Sequence, residues 1–243
     1  MNNLHIKQLV KNSTKMLAAT ICLSTLSVSA NAKDVDITIT NLTQGIYYTP
    51  LLVTAHNMEA SLYELGQPAS MELQMMAEGG DISGLSSMLS GVNADIVENP
   101  AMGLLAPGAS TTTMLSTQME NDYLSIVSMM LPTNDGFIGL NSWKIPDEMG
   151  TYTIYLSAYD AGTEANDEIV NGGGAPGVAG IPASPNGNGE TGGTGVTSME
   201  ANMTVHVHRG NLGDDDSMGG KSDLDNTVHR WLNPVARVVV TVK

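Results

Sequence analysis

Val35-Asp36-Ile37-Thr38-Ile39-Thr40 alternates apolar and polar residues with a period of two. Successive side chains of an extended chain point to opposite faces, so Val35, Ile37 and Ile39 share one face and the stretch reads as a half-buried strand. Runs of the same character follow at 45–56, 95–98, 111–117, 123–131, 136–140, 151–158, 201–207 and 235–242, with turn residues between them. Many short strands separated by turns, without repeated strand-helix-strand units, predict an all-β fold: an antiparallel β-sandwich and not a parallel doubly wound sheet. One or two short helices interrupt it. Pro68 suits a first helical turn, Met71, Met75 and Met76 recur at helical spacing, and Gly79-Gly80 stops them; a second helical stretch runs from 81 to 90.

Upstream of the first strand, Lys7, Lys11 and Lys15 precede an uncharged apolar stretch, 16–28, that ends in Ser29-Ala30-Asn31-Ala32. A basic segment, a short apolar core and an Ala-x-Ala site are the parts of a secretory leader, so residues 1–32 are expected to be a signal peptide and 33–243 one domain. The core is too short for a membrane anchor. Ile21 before Cys22 stands where a lipidated cysteine requires a small residue, so a free product is expected, periplasmic or secreted and with no membrane insertion. Cys22 is the only cysteine, and the exported chain carries none.

The whole chain has a formal charge of −15, which becomes −18 once the three leader lysines are gone. Nucleic acid and anionic membranes are poor partners for such a surface, whereas divalent cations are its simplest counter-charge outside the cell. Segment 171–195 is dominated by Gly, Pro and Asn and offers little to bury, so it reads as a long flexible Gly-rich loop inside the domain. Sixteen Met stand against a single Phe, Phe137, and most of them read as adaptable core filling.

The densest polar constellation is Tyr159-Asp160-Ala161-Gly162-Thr163-Glu164, followed by Asn166, Asp167 and Glu168. Calcium takes six to eight oxygens from carboxylates and carbonyls, and a glycine lets a chain curl around the ion. Asp160 and Glu164 converge on one point if the chain turns at Gly162; a solvated acidic loop is the other reading of the same residues.

Asp160-Ala161-Gly162-Thr163-Glu164 resembles the Asp-Ala-Gly-Thr-Asp signature of spondin N-terminal domains. Thr133-Asn134-Asp135-Gly136-Phe137-Ile138-Gly139-Leu140 is similar to that family's Pro-Asp-aromatic-Val-Gly segment. Glu64-Leu65-Gly66-Gln67-Pro68-Ala69-Ser70, Ala77-Glu78-Gly79-Gly80, the stretch 104–110 and the closing 229–238 agree in order. The resemblance implies an antiparallel β-sandwich with an extracellular matrix or adhesion role and a calcium ion between loops. Carried over residue by residue, it puts the metal ligands at Asp135, Asp160 and Glu164, the last lengthened from Asp, with a backbone carbonyl, Leu156, to complete the shell. The cysteines of eukaryotic relatives are absent, so their partners do not transfer.

Two other clusters compete less well. Gly213-Asp214-Asp215-Asp216 to Asp225 lacks the bidentate Glu of an EF-hand loop and reads as a solvated turn. His206 and His208 alternate on a strand and share a face, a pair that could grip zinc or copper with His229 or His56, but two ligands are not a site. No Gly-x-Ser-x-Gly elbow, phosphate loop or available thiol occurs, and few aromatics exist to stack a sugar. The expectation is therefore a non-enzymatic, calcium-binding, monomeric β-sandwich module that binds an extracellular protein or glycan. The alternatives are an extracellular metal-dependent hydrolase and an ion-free structural envelope protein.

Overall fold

The computed structural model describes residues 32–185, 187 and 190–243; the expected leader, apart from Ala32, lies outside them. Ten strands and two helices follow one another as β1 (Asp34–Asn41), β2 (Tyr47–Tyr48), β3 (Leu52–His56), α1 (Met71–Gly79), α2 (Ser83–Ser90), β4 (Asp95–Glu98), β5 (Ser110–Ser116), β6 (Tyr123–Leu131), β7 (Gly136–Lys144), β8 (Gly150–Asp160), β9 (His206–Val207) and β10 (Ala236–Val242). The strands run in the order β4-β3-β6-β7-β8-β10-β1-β5, with every pairing along that path antiparallel. Its two ends, β4 and β5, come into contact, so the sheet folds over into a nearly closed sandwich. The expected all-β antiparallel sandwich with two short helices is the fold observed. No helix among the described residues is long and apolar enough to cross a membrane.

The period-two reading of β1 is realised side chain by side chain. Val35, Ile37 and Ile39 are at most 1% exposed, and they face Val238, Val240 and Val242 of the adjoining β10 within one core. Each such aliphatic contributes about 1.5–3 kcal/mol on leaving water, which is why the alternation fixes the face of the strand. On the other face, Thr38 bonds Thr112 across the β1–β5 pair at 2.9 Å. A second core lies beneath the helices, where Leu73, Met76, Leu85 and Leu89 pack on Leu52, Val127, Met129 and Phe137.

Some local expectations are corrected. Helix α1 starts later than Pro68: Ser70 is its N-cap and accepts a hydrogen bond from the Leu73 N–H, while Gly80 closes it in the left-handed region at φ 71°. Strand β7 does not stop at Leu140. Asn141 and Ser142 together oppose Ser125, forming a bulge in which Ser142 sits at φ 54° and its N–H donates to Ser125 Oγ. The pairing of β7 with β8 ends at Gly139 and Ser157, just before the bulge. The run 201–207 is strand only at His206–Val207.

Segment 171–195 buries more than its composition promises. Ile181 is fully buried, bridges Val170 in parallel, and donates its N–H to the Ile169 carbonyl. The methionines depart furthest from expectation. Of fourteen among the described residues, ten are exposed and only Met76, Met129 and Met130 are buried.

Candidate functional site

Gly136 at the start of β7 pairs with Asp160 at the end of β8, so the turn before one strand lies against the turn after the other. Thr133 shapes the first turn: its hydroxyl donates to the Met130 carbonyl at 2.6 Å and accepts from the Gly136 N–H at 3.0 Å. That turn points Asn134 and Asp135 inward. Asp135 Oδ2 accepts from the N–H groups of Thr163 at 2.8 Å and Glu164 at 3.1 Å, and from the Thr163 hydroxyl. Asn134 Nδ2 donates to Asp167 and to Glu164 Oε2, and its Oδ1 accepts from the Glu168 N–H.

Asp160 folds back on its own turn. Its Oδ1 accepts from the Gly162 N–H at 2.9 Å and its Oδ2 from Asn166 Nδ2 at 2.7 Å. Gly162 holds φ +69°, and a Cβ there would stand 2.6 Å from the Thr204 nitrogen. Gly162→Ala is therefore expected to destabilise the protein by about 2–4 kcal/mol, combining left-handed strain with a backbone clash; denaturant unfolding measures it, and a loss under about 0.5 kcal/mol would contradict it.

The structure places the three expected carboxylates in the two turns of this corner and buries all of them: Asp135 at 0%, Asp160 at 1% and Glu164 at 5% exposure. They differ in what their oxygens meet. Both oxygens of Asp160 are bonded, whereas Asp135 Oδ1 and Glu164 Oε1 are buried without a hydrogen-bond partner. Burial, and next the Asp160 charge, push the Asp135 carboxyl well above the usual carboxylate range. Burial raises Glu164 to about 7, against the pull of the Gly180 N–H, and the Glu78 charge adds to the rise.

Leu156 is not part of this group. Its carbonyl accepts from the Val235 N–H at 2.9 Å, and it stands four residues up β8 from Asp160, about 13 Å along the strand. His206 and His208 do approach Asp160, with Nε2 to Oδ2 separations of 3.7 and 3.9 Å. His208 accepts the Gly210 N–H on Nδ1, so Nε2 carries the hydrogen and donates to Asn166; burial holds its pKa low and the ring neutral. Trp231 packs on that ring, with centroids 5.1 Å apart. His56 and His229 are engaged elsewhere, by Ser125 and by the Asp225 N–H. Among the described residues, no three His, Cys, Asp or Glu side chains form a group that could hold a metal ion by themselves. The Asp214 to Asp225 cluster caps its own turns, Asp214 accepting from Asp216, Lys221 and Ser222, as a solvated loop should.

Three further acids are buried in the same part of the fold; Glu168 belongs to the polar constellation read from the sequence, whereas Glu78 and Asp223 were not expected as site residues. Glu78 closes α1 and receives the Gly177 N–H, Glu168 receives those of Leu212 and Gly213, and Asp223 receives those of Val170, Gly192 and Gly193. All three are buried, and none of the six acids pairs with Lys or Arg among the described residues. Glu78 carried one signal in the sequence: a carboxylate in the last turn opposes the helix dipole, so its place is not explained by the helix.

A family model described as Spondin_N matches residues 39–168, which include the β7–β8 corner and all three carboxylates. No curated protein matches the chain.

Proposed function

Since the chain belongs to the spondin N-terminal domain family, an extracellular, adhesion-type module, we propose that it is a non-enzymatic binding module whose β7–β8 corner is stabilised by calcium. The observation that carries this reading is the pair of buried, unpartnered oxygens, Asp135 Oδ1 and Glu164 Oε1. A buried acceptor left unpaired costs about 1–3 kcal/mol, and an uncompensated buried charge costs more. Two such oxygens amid four other buried acids, with no Lys or Arg among them, fit a hard cation.

Asp135 and Glu164 would hold the ion, with Asp160 set close enough to share its field while its own oxygens brace the turn. The bound charge would neutralise the corner and fix the loops that emerge there. Fewer than three carboxylates converge on one point, so water and backbone oxygens would supply the remaining ligands. The exported product is proposed to act as a monomer at the cell surface or in the matrix, and its partner to be an extracellular protein or glycan.

Elemental analysis of the purified protein tests the ion. Calcium at about one equivalent, without zinc or copper, is expected. Stoichiometric zinc or copper without calcium would overturn the reading and favour a metal-dependent hydrolase built on His206, His208 and Asp160.

A further inference from the structure

Methionine is among the residues most often buried, yet ten of the fourteen described here are exposed, several almost fully: Met102 at 92%, Met218 at 89% and Met149 at 80%. They are not gathered on one element. Met71 and Met88 lie on α1 and α2, Met114 on β5, and the rest on connections between elements, of which only 199 and 203 share one. An interface of adaptable Met side chains would gather them on one surface. Here they are spread over two helices, one strand and six connections, and their exposure leaves them outside both cores.

Oxidation of a thioether to a sulfoxide makes it polar, which disrupts a core but costs nothing to a side chain already in water. The three buried methionines, Met76, Met129 and Met130, are each 0% exposed. From this partition we infer that the surface methionines are a modification site: a sacrificial sink for two-electron oxidants of the hypohalous acid and peroxide class. With hypochlorous acid, the sulfur lone pair forms an S–O bond as the O–Cl bond breaks; chlorine leaves as chloride and the hydroxyl proton goes to solvent. Sulfur is oxidised by two electrons and chlorine reduced by two. No thiol competes from 33–243, because the only cysteine is Cys22. The carboxylates of the β7–β8 corner contain no sulfur, so this role is independent of the ion.

The test treats the protein with about ten equivalents of hypochlorous acid and maps oxygen by peptide mass spectrometry beside a thermal melt. Oxygen on the exposed methionines, none on Met76, Met129 and Met130, an unchanged melting temperature, and recovery of the original mass with methionine sulfoxide reductases are expected. A variant carrying Met102→Leu, Met149→Leu, Met199→Leu, Met203→Leu and Met218→Leu should take up about half the oxygen and spare a co-dissolved methionine reporter peptide about half as well. Core methionines oxidised in step with the surface ones, unfolding with the first oxygens, or equal protection by the variant would each overturn the inference.

Discussion

In millimolar calcium at pH 8 the protein is expected to melt roughly 10 °C higher than in chelator, and Asp135→Asn is expected to remove that difference. The magnitude follows from linkage. Calcium at about a thousand times its dissociation constant adds about 4 kcal/mol, and a domain of this size gains about 2–4 °C per kcal/mol. Asn keeps the shape of Asp135 and can still accept from Thr163 and Glu164, so the loss would report the charge at Oδ1 and not a broken turn.

The same groups set the pH dependence. Without metal, burial raises both Asp135 and Glu164, so in the fold they stay protonated at pH values where free carboxyls have ionised. A carboxyl whose folded pKa lies above its unfolded value contributes stability that is present below the unfolded pKa and is lost as pH rises through the folded one. For Glu164 that window opens at the ordinary 4.5 and closes at about 7, and Asp135 extends the loss in the same direction. The melting temperature in chelator should therefore fall between pH 5 and 7, while the calcium response grows over the same range. Equal calcium responses at pH 5 and pH 8 would contradict the assignment of these two carboxylates.

Phe137→Ala is expected to cost about 3–5 kcal/mol, or roughly 10 °C in melting temperature. Phe137 is fully buried, with Tyr63 edge-on at 5.2 Å and Tyr159 tilted at 5.7 Å. It follows Asp135 by two residues and lies opposite Tyr159 in the β7–β8 register, one residue before Asp160. Removing the ring therefore opens a cavity beneath both turns of the site. The calcium response should weaken along with stability, and a double-mutant cycle with Asp135→Asn should show coupling beyond about 0.5 kcal/mol. Additive effects would mean that the aromatic cluster supports the core without supporting the site.

Part of the sandwich was legible because β1, β8 and β10 are half buried and carry their burial as alternation, whereas β3 and β6 are buried on both faces and show only as apolar runs. Strands β4 and β6 run over the very residues that the pattern marks, 95–98 and 123–131. The apolar run of β7 ends at Leu140, whereas the strand continues through Asn141-Ser142, a bulge whose polar groups bind Ser125 and the 61–63 loop. The three carboxylates were legible through a motif, and their different surroundings were not. What separates Asp135 and Glu164 from Asp160 is which oxygens backbone N–H groups and Asn166 already occupy. Backbone donors leave no mark in a sequence. The same reason hid the role of 171–195, whose Gly177 N–H reaches Glu78 across 99 positions and whose Gly180 N–H reaches Glu164. Seven of the ten exposed methionines escaped for a different cause: they lie off the periodic elements, where hydropathy says nothing about where a side chain ends.

The most direct measurement is a high-resolution crystal structure of the protein grown in calcium. An ion within about 2.3–2.6 Å of both Asp135 Oδ1 and Glu164 Oε1 is the expected result. Those two oxygens bonded to ordered water or to protein donors, with no ion between them, would contradict it.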